Sequence, residues 1–232
     1  MWKAEQGFAQ MASDSSVKQA FLHFLHPEAY VFTPKAENGH AVYSQRPEGG
    51  PLLEWAPAWV VVSQSGEMAL STGCFQVLQR DNRELLAQGQ FVSVWMKDSL
   101  GNWRVMADMG NVGDCSAAAF PASRQLNGLN EARDKKLPQA VNLDHFAAGS
   151  GIHASGKGIH FREQMKDNDL LEVLAVDHAE ILYSQHSQAG DMAYSLGRYE
   201  RKTEDKILSG SFLAIWHRHQ EGWKILWYIQ NE

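Results

Sequence analysis

Apolar residues recur at helical spacing in the first part of the chain and at alternating positions in several longer segments after it. The helical part contains Phe8, Met11, Ala12, Ala20, Phe21, Phe24 and Leu25. This spacing predicts helical structure over residues 5–25. The polar residues 13–16 interrupt the pattern, so we expect two helices, with Ser15 or Ser16 as the N-cap of the second one.

Alternation of apolar and polar residues characterises the segments that follow the opening helices. We expect a short strand at residues 30–33, a short helix near residues 47–53 and then four long strands joined by tight turns. Helices followed by consecutive strands indicate an α+β fold rather than an alternating βαβ fold.

The chain contains an internal repeat. Residues 63–73 and 187–197 are identical at seven of eleven positions, and residues 89–95 align with residues 210–216. Such self-similarity is typical of a structural unit that has been copied. The second copy is therefore predicted to have the same elements: a helix within residues 129–148, a strand at 152–154, a helix at 157–167 and four long strands.

The last predicted strand of each copy has two distinguishable faces if its side chains alternate strictly. In the second copy these faces are Trp223, Ile225, Trp227 and Ile229 against Lys224, Leu226, Tyr228 and Gln230. In the first copy they are Trp103, Val105, Ala107 and Met109 against Arg104, Met106, Asp108 and Gly110. In each strand the first of these faces is apolar and the second is mixed rather than purely polar. We therefore expect one face to be covered by the helices of its own copy and the other by the sheet of the sister copy.

This organisation predicts two domains, at residues 1–112 and 129–232, joined by a linker at residues 113–128. The two copies would form a pseudo-dimer within one chain. The sequence leaves open whether the chain associates further.

Composition and charge exclude only a few classes of partner. The formal net charge is −6 and no basic run is longer than Lys135-Lys136, so no nucleic-acid partner is expected. No apolar run is long enough to span a membrane, so no membrane partner is expected either. The compartment stays open: periplasmic or secreted if a signal peptide has been removed, otherwise cytoplasmic. Cys74 and Cys115 could form one bridge, but two idle thiols are the favoured interpretation.

Several motifs along both copies resemble those of the DUF4440 family of SnoaL-like, NTF2-like proteins. In the first copy the likeness rests on Tyr30-Val31-Phe32, Trp55, Thr72-Gly73, Phe91, Val94-Trp95 and the ending Trp103-Arg104-Val105 with Asp108. In the second copy it rests on Gly190-Asp191, Tyr194, Gly197, Tyr199, Phe212, Ile215-Trp216 and Trp223-Lys224-Ile225. The likeness covers most of the chain apart from the linker.

The resemblance implies two cone-shaped, cystatin-like units, each a curved antiparallel sheet packed on helices around an internal pocket. The superfamily includes steroid isomerases, polyketide cyclases, dehydratases and epoxide hydrolases, together with non-enzymatic binding and association domains. Fold alone therefore does not settle what the chain does.

Asp108 is the strongest single candidate for chemistry. It lies on the last strand of the first copy, where a cone-shaped fold could direct its carboxylate into a pocket. A carboxylate in an apolar cavity has a raised pKa and can accept a proton. The alternative is a structural carboxylate that caps a helix or accepts a backbone hydrogen bond. The second copy has Tyr228 at the aligned position, so we do not expect it to share this chemistry.

Aromatic and histidine side chains could line the two pockets. The candidates are Tyr30, Trp55, Trp59 and Trp95 in the first copy and His153, His160, Tyr194, Tyr199, Trp216 and Tyr228 in the second. Aromatic residues on strands more often belong to a core or an interface, which is the competing interpretation for each of them.

No metal or cofactor is expected. The pairs His23/His26 and His217/His219 could each share a face, but neither has a third ligand at a recognisable spacing. Residues 151–158 resemble a phosphate-binding loop, but Gly158 occupies the position where Ser or Thr would hold magnesium.

Three functions remain open from the sequence. The favoured one is binding of a small hydrophobic molecule in a cone-shaped pocket. The second is a cofactor-independent lyase or isomerase with Asp108 as general base. The third is a structural or association module whose pockets are filled by side chains.

Overall fold

The structure is a computed structural model that describes residues 1–116, 120, 136–154, 160–174, 178–202 and 206–231. The chain divides into two compact units. Unit 1 contains most of the described residues up to 120. Unit 2 contains those from 136 onward, together with two short segments, Pro34–Ala36 and Ser63–Ser65. Most of the predicted linker lies outside the described residues, so the domain boundaries stay a prediction.

Unit 1 begins with two helices, α1 (Trp2–Asp14) and α2 (Val17–Phe24). The N-cap of α2 is Ser16, whose hydroxyl oxygen accepts a hydrogen bond from the backbone N–H of Gln19 at 3.1 Å. Serine is favoured there because its side chain replaces a missing intrahelical acceptor. The prediction of two helices with a break at residues 13–16 is confirmed.

The third helix of unit 1 lies earlier than predicted. Helix α3 (Gly39–Gln45) starts after Asn38, whose side chain accepts a hydrogen bond from Ala41 N at 2.9 Å. The prediction of a helix near residues 47–53 is wrong. That segment contains two prolines and two glycines, which disfavour helix, and strand β3 already begins at Leu52.

The sheet of unit 1 has six strands in the order β2-β1-β6-β5-β4-β3. The four long strands pair antiparallel, whereas β1 runs parallel to β6. The sheet is therefore mixed, which corrects the expectation of a purely antiparallel one. The strands are β1 (Leu25–Phe32), β2 (Ala36–Asn38), β3 (Leu52–Val62), β4 (Met68–Leu78), β5 (Leu85–Lys97) and β6 (Trp103–Val112).

Unit 2 repeats this arrangement. Its six-stranded sheet has the order β8-β7-β12-β11-β10-β9, and β7 runs parallel to β12. The same strand order in both units confirms the predicted fold class, an α+β fold present twice in one chain. The elements are β7 (Phe146–Ala154), β8 (His160–Phe161), α4 (Asp167–Leu174), β9 (His178–His186), β10 (Met192–Lys202), β11 (Ile207–His219) and β12 (Gly222–Asn231).

The helices predicted for the second copy differ from those in the structure. Residues 129–135 and 155–159 lie outside the described residues. In the described remainder of the first predicted helix there is only a 3₁₀ turn, Leu143–His145, before β7 begins at Phe146. In the described part of the helix expected at residues 157–167 there is a 3₁₀ turn, Arg162–Gln164, and the α-helix α4 starts only at Asp167.

A register irregularity in the last strand of each unit changes its faces. In unit 1, Val94 pairs with Ala107 but Trp95 pairs with Val105, so β6 has one extra residue. In unit 2 the same happens on β12, between Ile225 and Trp227. A bulge of this kind interrupts the strict alternation of side chains. Consequently, Tyr228 packs in the same core cluster as Trp223 and Ile225, and the predicted grouping of Trp227 with those two residues is wrong.

Cys74 on β4 and Cys115 form a disulfide bond with a Cα–Cα distance of 5.6 Å. The favoured interpretation of two idle thiols is therefore wrong. The sequence could not reveal the pairing because the two residues are separated by 41 positions, and only the fold brings them together.

The core of unit 1 lies between its helices and the inner face of its sheet. Buried members include Phe8, Phe21, Val31, Tyr43 and Trp95. None of the helices in the described part of the chain combines the length and the apolar character needed to cross a membrane.

Candidate ligand-binding site

Unit 1 contains a cavity of about 240 Å³ that is partly open to solvent. All three helices of the unit and strands β1, β3, β4, β5 and β6 contribute side chains to its wall. Most of these side chains are aromatic, among them Phe8, Phe21, Trp55, Phe75 and Phe91. The wall is thus largely apolar, as is usual for small-molecule sites.

Asp108 lines this cavity and is half-buried. Its Oδ2 accepts a hydrogen bond of 2.6 Å from the hydroxyl of Ser93, which lies directly opposite on β5. Burial raises the pKa of Asp108 to about 6, and the Ser93 hydrogen bond opposes this rise. A carboxylate with such a pKa can accept a hydrogen bond or a proton near neutral pH.

A second carboxyl group, Glu5, lies fully buried on α1. Its Oε1 accepts a hydrogen bond from Trp55 Nε1 at 2.7 Å, and its Oε2 accepts one from Trp95 Nε1 at 2.9 Å and one from the Ser71 hydroxyl. Trp95 Nε1 also donates to Ser71 Oγ at 3.0 Å. Three donors therefore converge on one carboxyl group.

The environment of Glu5 strongly perturbs its protonation. Burial raises the pKa of Glu5 to about 7, the hydrogen bonds from Ser71 and the two tryptophans lower it, and the negative charge of Asp108 raises it. The donors satisfy the ionised form, whereas burial and the nearby carboxylate disfavour it. The two acids are thus electrostatically linked, and Trp55 connects Glu5 to the cavity wall.

Tyr43 and Arg46 form another part of the cavity wall. The Tyr43 ring stacks on Phe21 with centroids 3.9 Å apart, and the Arg46 guanidinium lies 4.5 Å from the centroid of the Tyr43 ring. Burial raises the pKa of Tyr43, Arg46 lowers it and Asp108 raises it. Tyr43 therefore stays protonated at neutral pH and can act as a hydrogen-bond donor.

Only some of the aromatic residues predicted to line the first pocket do so in the structure. Trp55 lines the cavity, whereas Trp95 lies behind the wall and reaches Glu5 and Ser71 through its indole nitrogen. Trp59 is 2% exposed and belongs to the core, and Tyr30 is half-buried on β1. Neither Trp59 nor Tyr30 is among the cavity-lining residues of the described chain.

The residues predicted to line the second pocket are mostly buried in the core of unit 2. The Tyr199 hydroxyl donates to the Asn231 carbonyl oxygen at 2.8 Å, and Trp216 Nε1 donates to Ser195 Oγ at 3.0 Å. Tyr194 and His153 are also buried, whereas His160 is exposed on β8. Tyr228, the last member of the set, fills the position aligned with Asp108.

The two units differ at the aligned positions around Asp108. Ser93 and Asp108 face each other in unit 1, and Ala214 and Tyr228 face each other in unit 2. The Tyr228 hydroxyl donates to Gln230 Oε1 at 2.9 Å, and Gln230 occupies the position aligned with Gly110 of the cavity wall. Where unit 1 has a carboxylate and a glycine, unit 2 has two larger side chains that hydrogen-bond to each other, and Ala214 replaces the hydroxyl partner Ser93.

Neighbouring rings enclose Tyr228. Its ring stacks on Phe212 at 5.9 Å and meets Phe146 edge-on at 5.8 Å. Burial raises its pKa, and the side chain is 3% exposed. Tyr228 is thus packed against aromatic side chains in unit 2, whereas the aligned Asp108 faces a cavity in unit 1.

Sequence reasoning missed Glu5, Tyr43 and Arg46. For Glu5 a signal was present, because it shares the buried stripe of α1 with Phe8 and Ala12. A charged residue on the apolar face of a helix needs a buried partner. Tyr43 and Arg46 were missed because α3 was placed after them.

The described residues contain no cluster of three or more side chains suited to holding a metal ion. The His217 and His219 rings lie 5.7 Å apart, as expected for a pair on one strand face. Of the sequence resembling a phosphate-binding loop, the part up to Ala154 belongs to strand β7, and residues 155–158 lie outside the described residues.

No protein-family model matches the chain, and no curated protein matches it. Several solved structures are similar to part of it, and three of them are described below. A Δ5-3-ketosteroid isomerase from a Mycobacterium species has 13% identity and a TM-score of 0.35, with 47% of this chain and 88% of that chain covered. A Mycobacterium tuberculosis protein in complex with estradiol-17beta-hemisuccinate has 11% identity and a TM-score of 0.36, with 47% and 89% covered. An NTF2-like protein from Cytophaga hutchinsonii has 15% identity and a TM-score of 0.37, with 47% and 93% covered.

Proposed function

We propose that unit 1 binds a small, mainly apolar molecule that donates a hydrogen bond to Asp108. The observation that carries this proposal is one half-buried carboxylate among aromatic side chains on the wall of a cavity. Apolar walls with a few polar groups that fix orientation are the usual design of ligand sites. Ionised Asp108 accepts but cannot donate, which favours ligands with a hydroxyl or N–H group.

The size of the cavity restricts the ligand. Its volume of about 240 Å³ lies below the ~300–1,000 Å³ that is common for drug-sized ligands. A single-ring compound such as a substituted phenol fits this description, whereas a four-ring compound requires the wall to move. Stacking and edge-on contacts with Phe21, Phe75 and Phe91 favour an aromatic ring.

Titration of the protein with a panel of phenols and alkylphenols, monitored by calorimetry, tests this proposal. We expect Asp108→Asn to weaken binding roughly 10- to 100-fold, since a hydrogen bond to a charged group contributes about 1.5–3 kcal/mol. Glu28→Asn, which changes an exposed acid outside the cavity, is the matched control and should bind like the wild type. Equal binding by the Asp108→Asn variant and the wild type contradicts the proposal.

Proton transfer is the second candidate function, and the raised pKa of Asp108 favours it. With a pKa of about 6, Asp108 can remove a proton from an acidic carbon of a bound carbonyl compound at neutral pH. Protonated Tyr43 on the same wall could donate a hydrogen bond to the resulting oxyanion. The test is exchange of α-protons of cyclic ketones into D₂O, monitored by NMR. Exchange that depends on Asp108 supports catalysis, and binding without exchange leaves unit 1 a binding domain.

We propose a structural role for unit 2, with the two repeats acting as an intrachain pseudo-dimer of domains 1–112 and 129–232. The enclosed Tyr228 and its bond to Gln230 support this assignment. Sedimentation velocity tests the pseudo-dimer: a monomer at micromolar concentration is expected. A stable dimer of the whole chain contradicts the idea that the second repeat replaces a partner subunit.

A further inference from the structure

A second cavity of about 380 Å³ adjoins the first in unit 1. Arg46 and Leu53 line both cavities, so the two share a wall. The first cavity is lined mainly by aromatic side chains and Asp108. The second is lined by the start of α2, the loop after α3 and the strands β3 and β4, and it contains no carboxylate on its wall among the described residues.

Three cationic side chains line the second cavity: Lys18, Arg46 and Arg80. Lys18 pairs with Glu48, whose Oε1 lies 4.0 Å from Lys18 Nζ and whose side chain is 54% exposed. An exposed ion pair at this distance is weak, so it offsets little of the positive charge. The cavity therefore has an excess of positive charge in a chain whose formal net charge is −6.

Two of these cations are oriented by contacts within unit 1. Arg80 Nε donates to the Gly50 carbonyl oxygen at 3.0 Å, which fixes the plane of its guanidinium group. Arg46 follows directly after α3 and lies over the ring of Tyr43. Because guanidinium groups bind carboxylates and phosphates through two parallel hydrogen bonds, oriented arginines are suited to anionic groups.

We propose that the ligand of unit 1 is an amphipathic anion. Its ring and hydrogen-bond donor occupy the first cavity, and its anionic group occupies the second, between Arg46, Lys18 and Arg80. This inference rests on the proposed binding function of the first cavity and specifies the class of molecule. Arg46 has the central position because it faces both cavities.

The opposite polarity of the two ends determines the orientation of the ligand. A carboxylate or phosphate is repelled by ionised Asp108 and attracted by the three cations, so the molecule can enter productively in one direction only. The N-cap Ser16 and the first residue of α2, Val17, also line the second cavity, and this helix end adds a small favourable dipole contribution. Compounds that carry a hydroxyl at one end and an acid at the other therefore match both cavities.

The test compares 4-hydroxyphenylacetate with its neutral amide, 4-hydroxyphenylacetamide, by calorimetry in low salt. The two probes share the phenol that faces Asp108 and differ in the charged group. We expect the acid to bind about tenfold more tightly than the amide, and the advantage to shrink in high salt. A matching phosphate ester, 4-hydroxyphenethyl phosphate, establishes whether the site prefers a carboxylate or a phosphate.

Variants that change only the second cavity test whether the anionic group of the ligand binds there. Arg80 and Lys18 do not line the first cavity. The double variant Arg80→Gln with Lys18→Gln should therefore weaken binding of the acid about tenfold and leave binding of the amide unchanged. Lys3→Gln with Lys97→Gln removes two charges from exposed residues that line neither cavity and is the charge-matched control.

Each outcome decides between the two claims. If the amide binds as tightly as the acid, this inference is wrong and the proposed function of the first cavity stands. If the acid is preferred but the double variant has no effect, the anion lies elsewhere and the inference is also wrong. If neither probe nor any neutral phenol binds, the proposed function itself is contradicted, and the inference fails with it.

Discussion

Replacement of Glu5 by Gln should change the stability of unit 1 in a strongly pH-dependent way. Burial raises the pKa of Glu5 from 4.5 to about 7. A carboxyl group with a raised pKa in the folded state binds a proton more tightly than in the unfolded state. Its stabilising contribution is therefore complete below pH 4.5 and is lost as the pH rises through 7.

The size of the effect follows from the shift. The rise of the pKa from 4.5 to about 7 corresponds to roughly 3 kcal/mol, most of which is lost between pH 5 and pH 8. Gln does not titrate, so the variant lacks this loss. However, its amide group places two N–H donors where Trp55, Trp95 and Ser71 all donate. This conflict costs about 1–3 kcal/mol at every pH.

The two effects together predict a crossover. We expect Glu5→Gln to destabilise unit 1 by about 1–3 kcal/mol at pH 5 and to be close to neutral, or slightly stabilising, at pH 8. Urea unfolding at several pH values, monitored by tryptophan fluorescence, measures this difference. Glu28→Gln, which removes an exposed carboxylate, corrects for the general effect of losing an acid. A destabilisation that is the same at pH 5 and pH 8 would refute the assignment of a raised pKa to Glu5.

Three further predictions concern the pH dependence of binding, the disulfide bond of unit 1 and the Tyr228 hydrogen bond of unit 2. Affinity for a neutral phenol should be constant between about pH 7 and pH 8 and fall as the pH drops through 6 and Asp108 is protonated, levelling off about 10- to 100-fold weaker, as in the Asp108→Asn variant; calorimetry across this range checks it, and a flat profile argues against Asp108 as the acceptor. Replacing Cys74 and Cys115 by Ser should lower the stability of unit 1 by about 4 kcal/mol for a loop of 41 residues, measured by urea unfolding, whereas an unchanged midpoint contradicts a native disulfide. Tyr228→Phe should destabilise unit 2 by about 1 kcal/mol through loss of its bond to Gln230, while phenol binding by unit 1 stays unchanged; a change in that affinity would link Tyr228 to the site.

Much of the fold could be predicted from the sequence because interactions between residues close in the chain determine it. Ser16 caps α2 as its position before the apolar pattern indicated, and the repeat predicted a second sheet with the same strand order. The helix α3 was misplaced although Asn38 offered a capping signal, because the segment that contains it has few apolar residues at helical spacing. The bulge on β6 could not be predicted, because one extra residue in a strand does not change the amino-acid composition in a recognisable way.

The candidate site was less predictable because it combines residues distant in sequence. Asp108 was found from its strand and the likeness to NTF2-like proteins, and Trp55 was found as an aromatic residue on a predicted strand. Glu5 lies 103 positions before Asp108, and only the folded unit brings their charges close enough to interact. The pairing of Ser93 with Asp108 likewise depends on the register of β5 against β6.

The central claim is that unit 1 holds the ligand and that side chains fill the corresponding space in unit 2. The indole N–H signals in a ¹⁵N–¹H NMR titration with 4-hydroxyphenylacetamide test it most directly, assigned through single Trp→Phe variants. Trp55 lies on the wall of the cavity and Trp95 shares its hydrogen-bonded partner Glu5, whereas Trp216 is buried in unit 2. The account predicts saturable shifts of the Trp55 and Trp95 signals with the Trp216 signal unchanged. Shifts confined to Trp216, or equal shifts in both units, would contradict it.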